Sequence, residues 1–347
     1  MAVSGKPLRF VIVGATTLRG KELLDVLKDR FPSAEFKLLD EEISALLLTD
    51  AGGEPAVVQH VEEESFEGAH LVFFCGSANF ARDRVDAALR DGAKVIDLTG
   101  GLRGRADAKL WIPAADAILA ASSGIEEVEK LTQTVLNSTS APAVIASTLA
   151  AALSGWKPAR MNIVFLQPVS ERGREGIEEL EKQTAGLLSF QPIAQPVFDA
   201  QVAFNVLDGF GENSAVQLES SRGEIARDVA VFLNGRTQAP AIKLLQVPVF
   251  HSYAFTAFAE LPGAPEPADI EESLTAAGFQ FPSDGEARPS VISAAGESQP
   301  LMGRVERDPN HWHGYWFWGV VDNLRLSAEN AAAIAQQILT IEDEEAS

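Results

Sequence analysis

The first hundred residues carry the feature that most restricts the fold. Short, wholly apolar runs alternate there with stretches whose apolar residues recur at helical spacing. "LRFVIVG" ends in Gly14, and "TTLRGKELLDVLKDRF" follows with Leu18, Leu23, Leu24, Val26 and Leu27 in a helical repeat. "EFKLLD" then ends in Asp40, "AHLVFFCG" in Gly76, the amphipathic "ANFARDRVDAALRDG" in Gly92, and "AKVIDLTG" is apolar again. A strand with no polar face has to be covered on both sides, which a parallel sheet with crossover helices achieves. The N-terminal part is expected to be a Rossmann-like, doubly wound parallel sheet. The 347 residues allow about two domains at roughly 150 residues each.

Charge and cysteine content narrow the function classes. Net charge is −21, from 28 basic and 49 acidic residues. Such a surface repels nucleic acid and anionic membranes, so neither is expected as a partner, and a phosphate-bearing ligand needs a local basic pocket. Cys75 is the one cysteine, which rules out an intrachain disulfide and a thiolate-metal cluster and fits a reducing cytoplasm. "MAVSGKPLRF" lacks the apolar core of a signal peptide. No apolar run reaches the ~18 residues that a membrane span needs. A soluble, cytoplasmic protein is expected.

The first strand-to-helix turn, "GATTLRG", keeps Gly14 and Gly20 at the ends of a dinucleotide-type turn, with Thr16, Thr17 and Leu18 between. Thr17 stands where a middle glycine often lets the backbone approach a pyrophosphate; its hydroxyl either donates to phosphate or blocks it. Asp40 lies 26 residues after Gly14, where an acid usually holds a ribose hydroxyl and repels a 2′-phosphate, and Glu41 and Glu42 follow it. These acids favour NAD over NADP if a dinucleotide binds. An empty Rossmann-like domain with a solvated acidic loop is the alternative.

Several stretches, in order and over nearly the whole chain, resemble the aspartate-semialdehyde dehydrogenases. They are "FVIVGATTLRGKELLDVL", "KVIDLTGGLRGRADAKLWIP", "FLQPVSERGREGIEELEKQT", "MGRVERD" and "WFWGVVDNLRLSAENAAAIAQQIL". The resemblance implies a nucleotide-binding domain (residues 1–136 with a returning helix, 324–347) and an α+β dimerisation domain with a mixed sheet (137–323). It also implies a homodimer, with NAD or NADP as cofactor. The residues agree in part. "ARMNIVFLQPVS" and "AIKLLQVPVFHSYAFTAFAEL" are strand-like, and "GIEELEKQTAGLLS" and "ESSRGEIARDVAVFL" are helical.

Family enzymes attack the aldehyde with a cysteine at a helix N-terminus, in an Asn-Pro-Asn-Cys context. The matching stretch here is "NSTS", and Ser140 falls nearest the cysteine, with Thr139 one place away. Before "APAVIASTLAAAL", Ser140 also reads as a helix cap. The substrate-binding arginine is matched by Gln246, which cannot pair bidentately with a carboxylate. The family's histidine base, seven residues on, is matched by Tyr253. His251 lies two residues earlier, on the same face if the segment is a strand. A Glu and a Lys three residues apart become Asp228 and Val231. Gln167 matches a glutamine beside the nucleophile, and Arg103 an arginine that helps bind phosphate. The glycine-rich turn after Ser170 becomes Glu171 and Arg172, which removes a nicotinamide contact of the family.

Nucleophile, arginine, base and lysine have changed together while the scaffold persists. This resembles the Usg-type branch, whose "QLAFN" and "VQSPVF" are similar to "QVAFNVL" and "LQVPVF" here. Two readings follow. One is a family member inactive in aldehyde oxidation that binds a nucleotide, a small molecule, a partner or no cofactor at all. The other is an NAD(P)-dependent oxidoreductase acting on a carbonyl without a thioester, through Ser140, Thr139, His251 or Tyr253. His311 and His313, with Asp308 nearby, lack an evident third metal ligand, so no metal site is expected.

Overall fold

The computed structural model describes residues 7–41, 47–51, 54–123, 133–283 and 285–346. In chain order the elements begin β1 (Arg9–Val13), α1 (Leu18–Arg30), β2 (Glu35–Asp40), β3 (Leu47–Ala51), β4 (Glu54–His60) and β5 (Leu71–Phe74). They continue with α2 (Ala78–Arg90), β6 (Lys94–Asp97), β7 (Ala108–Leu110), α3 (Pro113–Ser123), β8 (Val135–Asn137), α4 (Ala141–Leu153) and β9 (Arg160–Gln167). Then follow α5 (Gly173–Leu188), α6 (Leu218–Leu233), β10 (Ala241–Gln246), β11 (Tyr253–Glu260) and α7 (Pro267–Ala276). The chain ends with β12 (Leu301–Met302), β13 (Glu306–Arg307), β14 (Gly314–Val321) and α8 (Asn323–Ala346). It divides into two compact units. One comprises Met1–Pro113, Glu126–Thr139 and Ser327–Ser347; the other comprises Ala114–Ile125 and Ser140–Leu326.

The first unit holds a sheet of order β3-β4-β2-β1-β5-β6-β8-β7, parallel throughout except for β3, which runs antiparallel to β4. β1 is its centre, with Ile12 level with Leu38 of β2 and with Phe73 of β5. Both faces of β1 are buried, as the apolar runs require. On one face Val11 and Val13 join Val72, Phe74, Val95, Val85 and Ala81. On the other, Phe10 meets Phe31, Phe36 and Phe73 edge-on at 5.2–5.9 Å between ring centres. Trp111 is buried in this unit, and its indole donates to Gln337 Oε1 at 2.7 Å.

The second unit holds a mixed sheet of order β10-β9-β11-β14-β12, with β13 on β14. β10 and β9 are parallel and the other pairs antiparallel. Burial alternates along β9, β11 and β14, as in a sheet packed on one side. The other side carries Thr256 opposite Trp318 and Phe258 opposite Trp316, with Trp316 and Trp318 exposed. α4 is buried along its whole length, which suits a helix apolar on every side.

One expectation needs correction. The run "AIKLLQVPVFHSYAFTAFAEL" is two strands, β10 and β11, separated by residues 247–252. Pro248 lacks the amide that a central strand needs, and Ser252 takes a left-handed conformation, φ 72°. No described helix is long and apolar enough to cross a membrane.

Candidate functional site

In the first unit the strand order reverses between β2-β1 and β5-β6, so the crevice of an open α/β sheet lies at the carboxyl ends of β1 and β5. Gly14, Thr16, Thr17, Asp40 and Gly76 stand at strand ends or turns bordering it, and Leu18 and Gly20 in the first turn of α1. Gly14 has φ 84°, and a Cβ there would fall on the backbone of Gly76; a Cβ at Gly20 would fall on the Gly14 carbonyl. The turn is closed this tightly only because these positions are glycine.

Thr17 is the N-cap of α1. Its Oγ1 accepts from Gly20 N at 2.9 Å and donates to Gly14 O at 2.8 Å. The hydroxyl is turned inward, because the cap geometry directs it at the third amide of the helix. The Leu18 and Arg19 amides of the first turn have no intrahelical acceptor and are the donors left for an anion. Asp40 is buried, and its Oδ2 accepts from Thr16 N at 3.0 Å and Thr16 Oγ1 at 2.5 Å. The acid expected to face a ribose thus braces the turn. Glu41 reaches across instead: its two oxygens accept from Ser77 N and Ser77 Oγ, each at 2.8 Å, at the N-terminus of α2. Glu42 lies outside the described residues. Arg103 follows β6, its guanidinium packed over Gly100, in a loop held by Asp97 bonds to Thr99 and Leu102.

Cys75, at the end of β5, is buried, and burial pushes its thiol up to about 12 against the opposing field of Arg19. It is not a nucleophile in the folded chain.

In the second unit, strand register brings three of the expected residues together. Gln246 closes β10 level with Gln167, which closes β9, and Tyr253 opens β11 beside them. The Tyr253 hydroxyl donates to Gln167 Oε1 at 3.0 Å, and Gln167 Nε2 donates to Gln246 Oε1 at 3.1 Å. Gln246 Nε2 in turn donates to the carbonyls of Gln167 at 2.9 Å and Val247 at 3.0 Å. All three are buried. Burial holds the Tyr253 phenol well above its usual value; Glu171 adds to the effect and Arg172 opposes it. The group keeps its proton and is a donor, not a base.

Ser140 and His251 stand apart from this chain of bonds. Ser140 is the N-cap of α4, with Pro142 in the first turn, and its side chain makes no capping bond. His251 lies in the segment between β10 and β11, and the left-handed Ser252 breaks the alternation on which its shared face with Tyr253 depended. On α6, Asp228 is buried whereas Val231 is exposed. His311 and Asp308 are joined at 3.1 Å, and Asp308, held at about 2 first by the Trp316 indole, also takes the Asn310 amide.

Three participants were not singled out from sequence as site residues. Ser77 is the N-cap of α2, a role its place before "ANFARDRV" could have signalled. Arg172 is a half-buried cation on the turn after β9, its pKa lowered from the usual guanidinium value by burial. Asn323 Nδ2 donates to Glu171 Oε1 at 2.8 Å and its Oδ1 accepts from Ser252 N at 3.1 Å. No local pattern announces these last two roles.

Comparison with known proteins agrees with this architecture. Residues 9–121 match the semialdehyde dehydrogenase NAD binding domain, and residues 149–326 the semialdehyde dehydrogenase dimerisation domain. A USG-1 protein homologue of Pseudomonas aeruginosa is 28% identical over 341 residues, 96% of this chain and 98% of that protein. Aspartate-semialdehyde dehydrogenase 2 of Vibrio cholerae is 28% identical over 338 residues, 94% of this chain and 96% of that enzyme. The structure of a probable aspartate-semialdehyde dehydrogenase from Pseudomonas aeruginosa superposes with a TM-score of 0.82 at 27% identity, covering 96% of this chain and 99% of that one. With both domains matched in order and the two sheets in place, the chain belongs to the semialdehyde dehydrogenase family.

Proposed function

We propose that this protein is a homodimeric, dinucleotide-binding member of the family that does not oxidise a semialdehyde through a covalent thioester. The observation that carries this reading is the closed chain Tyr253–Gln167–Gln246. Its members are neutral, buried and bonded to one another, where the family resemblance calls for an arginine and a histidine base. A serine hydroxyl at position 140 is far less ionised than a thiol and needs an adjacent base. Among the described residues no base is hydrogen-bonded to it. Cys75 is sealed at a strand end of the other unit.

The crevice residues fit a dinucleotide. The Leu18 and Arg19 amides would hold the pyrophosphate, with Arg103 as a further cation, and Asp40 keeps the turn in shape through Thr16. A bound nicotinamide supplies hydride-accepting chemistry. Two carboxylates at the end of β2, Asp40 and Glu41, oppose a 2′-phosphate and favour NAD over NADP. The dimerisation domain supports assembly as a homodimer.

Calorimetric titration of the full chain with NAD, and separately with NADP, is the first test. Binding of NAD in the micromolar range, tighter than NADP, is expected; binding of neither removes the nucleotide reading. Phosphate-dependent reduction of either dinucleotide with aspartate semialdehyde would refute the absence of thioester chemistry. Phosphate-independent hydride transfer abolished by His251→Ala or Tyr253→Phe would put the non-thioester oxidoreductase in its place.

A further inference from the structure

The second unit holds a cation that the protein leaves incompletely satisfied. Arg172 lies on the turn between β9 and α5. Its Nη2 donates to Ser221 Oγ on α6 at 3.1 Å, and its guanidinium stands 5.5 Å from the centre of the Phe210 ring. Its Nε is buried and has no hydrogen-bond partner. Glu171, Tyr253 and Glu224 act on it through space, but it forms no ion pair among the described residues. Asn323 engages the carboxylate of Glu171.

A second unsatisfied donor lies on the adjoining segment. Residues 169–170 and 249–250 are joined by Val169 N to Val249 O at 2.9 Å and Ser170 N to Phe250 O at 3.0 Å. Two residues on, Ser252 is fully buried and in the left-handed region that serine seldom adopts, and its hydroxyl has no partner. Backbone strain and unpaired buried polar groups are both costly, and their coincidence is characteristic of binding sites. Arg105 shows the satisfied arrangement in the same chain: its Nε and Nη2 donate to the two oxygens of Asp107, each at 2.9 Å.

We infer that Arg172 and Ser252 form an oxyanion-binding site, which takes the carboxylate or phosphate group of a small ligand on the Nε edge of the guanidinium. A planar guanidinium edge matches either group with two parallel hydrogen bonds. Arg172 as a whole is half-buried, so part of its side chain meets solvent although the Nε is covered. Arg172 and Ser252 both belong to the second unit, so the site is tested without a dinucleotide.

The test is calorimetry on the full chain without nucleotide, using succinate in one arm and inorganic phosphate in the other. At least one should bind, Arg172→Gln should weaken that binding about tenfold or more, and Ser252→Ala should weaken it by a smaller factor. Arg105→Gln should leave it unchanged. Succinate alone identifies a carboxylate ligand, and phosphate alone a phosphoryl one. Failure of both to bind the wild-type chain, or equal affinity in Arg172→Gln, overturns the inference. Should Arg172→Gln not fold, phenylglyoxal labelling of the wild-type protein, read by peptide fragmentation, decides. Protection of Arg172 by the bound oxyanion, with Arg174 still labelled, is expected; equal labelling of Arg172 with and without it overturns the site.

Discussion

Replacing Tyr253 with Phe isolates the one phenol on which the second unit's buried bond chain depends. The ring stays, and with it the edge-on contact to Phe165 at 6.1 Å. What goes is the 3.0 Å donation to Gln167 Oε1, leaving a buried amide oxygen without its donor. An orphaned buried acceptor costs about 1–3 kcal/mol, so a loss of about 2 kcal/mol is expected at neutral pH. For a domain of this size that is a drop of about 4–8 °C in Tm. The difference should also depend on pH. Burial keeps the native phenol protonated above its ordinary value of 10.0, whereas the unfolded chain ionises there. The native state then holds a proton that the unfolded state has released, and wild-type stability falls as pH rises, by at most about 1.4 kcal/mol per pH unit. Tyr253→Phe lacks this loss. The stability gap should be fully present below pH 10 and shrink above it, with Tyr315 cancelling because both proteins carry it. Urea unfolding of the two proteins between pH 7 and pH 11 measures this. A variant as stable as wild type at pH 7, or a gap that stays constant to pH 11, would refute the reasoning.

Three further outcomes are expected. Thr17→Ala should cost about 1 kcal/mol through loss of the α1 cap, and Thr17→Gly only a few tenths, as read from thermal melts. Cys75 should resist a thiol reagent such as dithionitrobenzoate in native buffer and react fully in urea; rapid native labelling would contradict its burial. Glu41→Gln should raise the affinity for NADP relative to NAD by about fivefold, the worth of roughly 1 kcal/mol of charge repulsion; an unchanged ratio in calorimetry removes Glu41 from cofactor choice.

The elements that the sequence made legible are those whose pattern is local. β1, β2, β5 and β6 read as apolar runs, and α1, α2, α5 and α6 as helical repeats, because burial on two faces or one stripe leaves a period in the chain. β7 is three residues long and β12 and β13 two each, too short to hold a period. The break between β10 and β11 had a signal in Pro248, but the apolar residues around it mask the interruption. Gln167, Gln246 and Tyr253 were identifiable one by one through family resemblance. Their union was not, because it rests on the register of three strand ends. Asp40 was placed at the right strand end, yet the side chain's direction, into Thr16, is decided by the turn's amides. Arg172 read as a disturbed glycine turn, and only tertiary packing shows it beside Ser221 and Phe210.

The placement of the tryptophans makes the chain its own optical reporter. Trp111 is the one tryptophan of the first unit, shielded and hydrogen-bonded, whereas of the second unit's four, Trp156 is half-buried and Trp312, Trp316 and Trp318 are 67%, 43% and 38% exposed. Trp111 should therefore emit at shorter wavelength and resist iodide, while the exposed three are quenched. In a Trp156→Phe chain, loss of the iodide-resistant component during denaturation marks the unfolding of the first unit. A reduced nicotinamide absorbs where tryptophan emits, so dimming of that component on its addition would report a dinucleotide seated in the crevice, with no label added.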